Sequence, residues 1–306
     1  MLDFIFRRLL QGLLVVFGVT LAVFLATRVF GDPVTLMLPI TASAEQRAIF
    51  SAQIGLDQPL PIQFVGFVRD MLTLDFGQSI WQRRPAIDVV LERLPNSALL
   101  IGCALTLAII LAIPLGALSA LRPGSIFDRI TMSFGLIGLA TPQFFFALLL
   151  IFFFAVKLRW LPTSGTGSPA HMVLPVLALA MTPFARFAMM VRSTMIDELN
   201  QQYVRAARAR GIPPSRVLRH HALRNVLVPF ITLAGWELIV ALSGYTVVVE
   251  TVFSWPGLGL TAVQAIQRGD LFLMQAIVFS IALLIVCINL TVDIIAKFID
   301  PRIELT

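Results

Sequence analysis

Six long apolar runs, separated by polar connections, organise the sequence. They cover Leu9–Val29, Ala98–Leu121, about Ile130–Val156, about Met172–Met190, Val226–Val249 and Leu271–Phe298. A helix crossing the hydrocarbon core needs about 20 mainly apolar residues, so each run predicts a transmembrane helix. Pro175, Pro183 and Arg186 interrupt the fourth run. Proline inside a span kinks it, and a membrane bundle tolerates this where neighbours satisfy the freed backbone groups. The pattern predicts an all-α integral membrane protein with six transmembrane helices.

Composition agrees. The 306 residues are 58% hydrophobic and 13% charged, against about 25% charged in soluble chains. Arg7 and Arg8 precede the first run as in a secretory leader, but that run is too long and lacks a small-residue cleavage site, so an uncleaved span is expected. Cys103 and Cys287 lie inside apolar runs and read as buried, inert thiols. The net charge of +6 becomes informative through its distribution. With the N-terminus inside, thirteen basic residues, from Arg7 and Arg8 to Lys297 and Arg302, fall on the cytoplasmic side. Short external loops then hold Lys157, Arg159 and Arg268. The positive-inside rule therefore predicts both termini in the cytoplasm. The 31–96 connection becomes external.

That connection has structure of its own. Ser43-Ala44-Glu45-Gln46 has capping-box form and Gly55 suits a helix stop. A second short helix is expected near Pro61, with Ile62, Val65, Val68 and Leu72 on one face. Both helices suit either a cap on the bundle or the rim of an external mouth that receives a partner.

Between Ser193 and Asn225 lie six arginines, two acidic residues, His220 and His221. The spacing predicts one helix over Met195–Arg210, a stop at Gly211, a Pro213-Pro214 break, and a second helix from Ser215 to Asn225. Such an element could be a solvated connector, a patch for anionic lipid, or a docking element for another protein.

Enzyme signatures are missing. Neither Lys157 nor Lys297 belongs to a phosphate-binding loop, so ATP hydrolysis by this chain is excluded. Asp75-Phe76-Gly77 lacks the other kinase elements. Ser243 in its span has no histidine at its depth, and no metal-binding spacing occurs. Ionisable residues inside spans remain: Arg186, Glu237 and Asp293, with Glu250 near the outer boundary. They suit a solute or proton path, or hydrogen bonds between helices; Asp293 and Lys297 are spaced as an i,i+4 pair. Gly235 and Gly244 suit close helix packing. Trp255-Pro256-Gly257 reads as an external turn anchored at the membrane interface by its ring.

Tyr203-Val204-Arg205-Ala206-Ala207-Arg208-Ala209-Arg210-Gly211, followed by Leu218-Arg219-His220-His221-Ala222-Leu223-Arg224-Asn225 and Pro229, resembles the "EAA" loop of bacterial ABC importer permeases. Further strings in order narrow the resemblance to the dipeptide, oligopeptide and nickel branch. They are Gly31-Asp32-Pro33, Gly55-Leu56-Asp57-Gln58-Pro59, Leu74-Asp75-Phe76-Gly77-Gln78-Ser79, Arg93-Leu94-Pro95-Asn96-Ser97, Phe253-Ser254-Trp255-Pro256-Gly257-Leu258-Gly259 and Asp300-Pro301-Arg302. Arg205 stands where the generic consensus has an acid.

The resemblance implies a type I ABC importer permease fold. Residues 1–94 would carry the first span and the external segment, and 95–299 the five-helix permease domain with its coupling loop at 193–225. It implies a second homologous permease, two ABC ATPases holding ATP and Mg²⁺, and an extracytoplasmic solute-binding protein, with no cofactor on this chain and no nucleic acid. Tyr203, Arg205, Ala206, Ala207, Arg208, Gly211, Arg219 and Asn225 would couple to the ATPases. Glu237, Glu250, Trp255, Pro256 and Gly257 would lie at the external gate or along the solute path. The rival reading is a proton- or ion-coupled carrier using Glu237 and Asp293, although no inverted repeat is visible. A channel needing no ATPase is a third.

Overall fold

The computed structural model describes residues 2–29, 34–35, 38, 41–53, 55–213, 216 and 223–299. Among them the regular structure is helical, apart from an isolated antiparallel bridge between Gln78 and Pro85. Helix α1 (Leu2–Phe24) runs on as a π-helical turn, Leu25–Val29; α2 is Ala44–Gln53, α3 Leu60–Leu72 and α4 Ala86–Leu121. Next come α5 (Ile126–Ala140), α6 (Gln143–Leu150, extended by the π-helical Ile151–Lys157), α7 (Ala170–Leu199) and α8 (Gln202–Ala209). Helix α9 (Leu223–Val240) passes through a π-helical turn, Ala241–Tyr245, into α10 (Thr246–Phe253), before α11 (Leu258–Gln267) and α12 (Leu271–Ile299).

Five helical stretches among these residues are long and apolar enough to cross a membrane: Phe6–Arg28, Ala86–Leu121, Ala170–Leu199, Asn225–Phe253 and Leu271–Phe298. The third predicted span is not one straight helix. Helices α5 and α6 meet at 110°, and they make a sixth span only when taken together. The cause is local: a residue before proline is driven out of the helical region, and Thr141, before Pro142, is extended at φ −88°, ψ 126°. Pro175 and Pro183, by contrast, lie buried within an unbroken 30-residue α7.

The chain forms two compact units. The first comprises residues 1–97 and 256–290. Its core joins α1, α3 and the start of α12: Phe24 meets Phe64 edge-on at 5.1 Å and Phe67 at 5.6 Å, and Phe76 lies 5.4 Å from Phe279. The capping box forms as expected. Ser43 N–H donates to Gln46 Oε1 (2.9 Å), and Gln46 N–H donates to Ser43 Oγ (3.2 Å). Gly55 ends that segment at φ +69°. On α3, Phe67 and Met71 are buried, while Ile62, Val65 and Leu72, from the apolar face read in the sequence, are exposed. Both faces carry apolar residues.

The second unit comprises residues 98–255 and 291–306. Helix α7 is its centre and packs on α5, α6, α9 and α10. Small residues permit this. A Cβ on Gly116 would lie 2.7 Å from Ala188 O, and one on Gly235 would lie 2.6 Å from Val292 Cγ2. Gly244, by contrast, faces open space. The thiols are not buried as expected: Cys103 is half-buried and Cys287 exposed. In an apolar run that faces lipid, a hydrophobic neighbourhood does not entail burial.

Candidate functional site

The predicted coupling loop is shorter and more bent than its spacing suggests. Helix α7 continues to Leu199, so Met195–Arg210 is not one helix. Asn200 ends α7 at φ −90°, ψ −7°, its N–H donating to Asp197 O (3.2 Å) and that of Gln201 to Glu198 O (3.2 Å). Helix α8 then starts at Gln202. Val204, fully buried, is its apolar anchor, while Arg205, Ala206 and Arg210 are exposed and Ala207 is half-buried. Arg208 lies within α8. Gly211 closes the element at φ +76°, where Ile212 N–H reaches back to Ala207 O (3.2 Å). An L-residue avoids that region and glycine does not. Most of the predicted second helix, with Arg219, His220 and His221, lies outside the described residues, as do Gly31-Asp32-Pro33 and Asp300-Pro301-Arg302, and its last residues, Leu223–Asn225, open α9. Asn225 belongs to α9.

A three-residue staple sets the bend. Tyr203 Oη donates to Glu198 Oε2 at 2.5 Å. Asn225 Nδ2 donates to the same carboxylate oxygen at 2.9 Å and approaches Tyr203 Oη at 3.4 Å. One carboxylate thus ties the end of α7, the first turn of α8 and the first turn of α9. Burial, reinforced by the adjoining Glu198 carboxylate, pushes the Tyr203 hydroxyl up to about 12. Tyr203 and Asn225, read as coupling residues, are therefore also the residues that position α8. Glu198 went unrecognised because its own neighbourhood, Ile196-Asp197-Glu198, reads as an ordinary polar helix end.

Two further charge pairs lie within the second unit. Arg186 Nη1 donates to Glu237 Oε1 at 2.7 Å, and Arg186 Nη2 approaches Tyr245 Oη at 3.4 Å. Glu237 is wholly buried, and its Oε2 accepts no hydrogen bond from the described residues. Two ionisable residues weighed separately in the sequence are thus partners between α7 and α9, with the π-helical turn supplying the tyrosine. Near the other end of α7, Arg192 grips Asp128 with both arms of its guanidinium, Nε to Oδ1 (2.5 Å) and Nη2 to Oδ2 (2.8 Å). Gly124 N–H adds a third bond to that carboxylate (2.8 Å). Arg192 itself belongs to α7. Asp293 lies in α12, and Glu250 is wholly buried in α10.

Around the candidate gate, Trp255 is 5% exposed and packs into the core of the second unit, rather than anchoring a turn at the membrane surface. Its N–H donates to Glu250 O (2.8 Å) across the left-handed Ser254. Pro256 and Gly257 belong to the first unit. Asn96 Nδ2 donates to Pro256 O (2.8 Å), and Leu258 N–H donates to Ser97 Oγ (2.8 Å). Gly257 has no side chain with which to cap α11, and Ser97 supplies that acceptor from α4. A parallel arrangement holds the 74–81 connection. Asp270 Oδ2 accepts from Ser79 Oγ (2.5 Å) and Trp81 N–H (3.1 Å), and its Oδ1 accepts from Leu273 N–H (3.1 Å). Arg268 stacks over the Trp81 ring at 4.1 Å. Strings separated by about 160–190 residues in sequence are thus bonded to each other. Asp270, the centre of the second arrangement, drew no attention because a lone aspartate before an apolar run reads as an ordinary cap.

Residues 112–305 match the family described as binding-protein-dependent transport system inner membrane component. Residues 1–101 match the N-terminal family of the same membrane component. The chain belongs to this family. As a permease it is 38% identical to the oligopeptide transport system permease protein AppB of Bacillus subtilis, over 99% of this chain and all of that one. It is 35% identical to a probable peptide ABC transporter permease protein of Sinorhizobium fredii, with 98% and 99% covered. The glutathione transport system permease protein GsiC of Escherichia coli is also 35% identical, with 99% of each chain covered. Among solved structures, an inward-facing form of the MetNI methionine ABC transporter aligns with TM-score 0.58 at 19% identity, covering 69% of this permease and 96% of that chain. The fold is that of a type I importer permease, all-α and built for the membrane. The protein is a permease subunit of an ABC importer. The ion-coupled alternative finds no support among these relatives.

Proposed function

We propose that this permease forms half of an ATP-driven import path for peptides or a related small solute. Its relatives are named for oligopeptides, peptides and glutathione, which supports that solute class. Nucleotide and Mg²⁺ stay on two separate ATPase subunits, a second homologous permease supplies the other half of the path, and an extracytoplasmic binding protein delivers the solute. The excess of arginine in the Ser193–Asn225 region supports a cytoplasmic position for α8, with both termini on that side.

The observation that carries this reading is the stapled geometry of α8. Power from a separate motor must enter through an element rigid enough to transmit displacement. Helix α8 has a buried apolar anchor, Val204, a charged staple at its start and a fixed turn at its end. Its outward face offers the small Ala206, which permits close approach, flanked by Arg205 and Arg210, which steer an acidic partner. When the ATPases close on nucleotide, α8 is displaced, and the α7 and α9 ends tied to it by Glu198 and Asn225 must follow. Arg208 and Arg219 add to the positive charge of the same loop in sequence. The candidate gate around Glu250, Trp255, Pro256 and Gly257 would answer at the far end of the path, with Glu237 along it.

Uptake by proteoliposomes containing the assembled transporter tests the reading. It should require ATP and continue when the proton gradient is collapsed. Uptake driven by the gradient without ATP would overturn it.

A further inference from the structure

The 110° turn at Thr141-Pro142 leaves a gap in the second unit. Between α4, the two arms of the bend and α7 lies a cavity of about 330 Å³. Its walls are apolar side chains alone, among them Leu111 and Leu115 of α4, Phe134 of α5, Phe146 of α6, Phe154 of its π-helical extension and Phe184 of α7. Leu111 and Phe134 are exposed, so the cavity opens sideways from the unit. None of the charge pairs described above contributes a wall.

The walls restrict what can enter. They give water nothing to bond, and a purely apolar cavity stays dry and takes hydrocarbon instead. A polar or charged solute would lose its hydration there without compensation. An apolar cavity of about 150 Å³ holds a six-carbon ring, so this one, about twice as large, suits a chain of about twelve carbons. Helices α4 and α7 are both long and apolar enough to cross a membrane, so the hydrocarbon at hand is lipid. Depth agrees. Leu115 lies seven residues before Arg122 and Ala108 fourteen, which is about 10 and about 21 Å along the helix. One leaflet offers about 15 Å of hydrocarbon beneath its head groups, so a chain descending from the level of Arg122 passes along the cavity.

Arg122 also suits the other end of such a molecule. It follows α4 directly, and seven residues are nearly two helical turns, so the end of α4 delivers it on the Leu115 side. It is exposed and makes no ion pair among the described residues, whereas Arg192 is occupied by Asp128. We propose that the cavity binds one acyl chain of an anionic phospholipid whose phosphate stands against Arg122. The chain fills the wedge left by the bend and so supports α5 and α6 against α4 and α7. The assignment holds whatever solute the transporter carries.

The test uses the assembled transporter in lipid nanodiscs that contain a phospholipid with a photoreactive diazirine midway along one chain. After illumination, mass spectrometry of the permease peptides locates the label. The wild type should carry it on Phe146 and Phe184, and also on Leu13 and Leu14, exposed residues of α1 that serve as the control. Relative to that control, a phosphatidylglycerol probe should label the cavity about threefold more than a phosphatidylcholine probe. Arg122→Gln should abolish this preference and Arg122→Lys should keep it. Ala180→Phe, which places a ring in the cavity, should cut the cavity label about tenfold and leave the α1 label unchanged. Arg122 is exposed, so its variants decide the matter even where Ala180→Phe fails to fold. An unlabelled cavity beside a labelled α1, equal labelling by the two lipids, or a preference that survives Arg122→Gln would overturn the assignment. Cavity label in the isolated chain that vanishes in the assembled transporter would give the cavity to the second permease, and would overturn it as well.

Discussion

Replacing Tyr203 by Phe removes one oxygen from the staple and leaves the ring in place. That oxygen donates to Glu198 and lies 3.4 Å from Asn225 Nδ2. A hydrogen bond to a charged group contributes about 1.5–3 kcal/mol when buried. Tyr203 is 39% exposed, so solvent competes for its partners, and we assign about 1 kcal/mol. At 1.4 kcal/mol per tenfold, this loosens α8 about fivefold. Val204 and the helices on either side remain, so membrane insertion and protein level should not change. The expected outcome is specific to coupling: phosphate release by the ATPases continues, while solute imported per ATP hydrolysed falls about fivefold. Both quantities are measured in the same proteoliposomes containing the assembled transporter. Glu198→Gln should cause a loss of similar size. Combining the two should be clearly less than multiplicative, because both break one bond. An unchanged import-to-hydrolysis ratio in Tyr203→Phe, or full additivity with Glu198→Gln, would refute the claim that the staple positions α8.

Four further outcomes follow from the geometry. The raised Tyr203 hydroxyl favours the protonated form in the folded protein, so its stabilisation is present below the ordinary tyrosine range and is lost as pH rises through about 12; tyrosinate absorbance of the wild type minus that of Tyr203→Phe should show this late titration. Asp270→Ala strands Ser79, Trp81 N–H and Leu273 N–H together, and should destabilise by about 2–4 kcal/mol, seen as a lower melting temperature in detergent, with Asp270→Asn losing less. Asp128→Ala leaves the Arg192 guanidinium without its carboxylate and should cost about 3–5 kcal/mol; adding Arg192→Leu should restore part of that, as read by the same melting assay. Gly211→Val should abolish uptake while preserving insertion, because φ +76° opposes a β-branched residue by about 1–2 kcal/mol; Gly211→Ala meets no neighbour within 4 Å and should retain partial uptake.

Much of the fold is legible in the sequence because lipid imposes a simple demand. An apolar run of sufficient length has few alternatives to a spanning helix, so the runs later seen as α1, α4, α7, α9–α10 and α12 could be read directly. Punctuation proved harder. Pro175 and Pro183 drew attention and break nothing, whereas Pro142 passed unremarked and turns the chain by 110°. What separates them is the residue in front and the room around it: Thr141 is free to become extended, while Pro175 and Pro183 are buried among neighbours that keep α7 whole. Bonds between distant residues were beyond reach. Glu198 with Tyr203 and Asn225, Arg186 with Glu237, Arg192 with Asp128 and Asp270 with Ser79 each join ordinary side chains that only packing brings together. The strings that carry the family resemblance were visible without their purpose. Asn96-Ser97 and Pro256-Gly257-Leu258 prove to be two halves of one capping arrangement.

The least apolar of the five long spans is also the most enclosed, with 61% of its most apolar stretch buried, against 17–33% for the others. In water that pairing would be paradoxical. In a membrane it is expected, because lipid solvates apolar side chains as well as a protein interior does and leaves no hydrophobic force to hold helices together. The spans that touch lipid must be uniformly apolar. The span that touches other helices must offer small surfaces for close contact and polar groups that find partners. Helix α7 offers both: its backbone at Ala188 lies against Gly116, and Arg186 and Arg192 reach across to Glu237 and Asp128. Arg186, one of the residues that interrupt the fourth run, is therefore also one that ties α7 to its neighbours. Its last turn carries Glu198, so the helix that organises the packing also holds α8. Motion imposed on α8 would therefore have a direct mechanical route into the centre of the second unit.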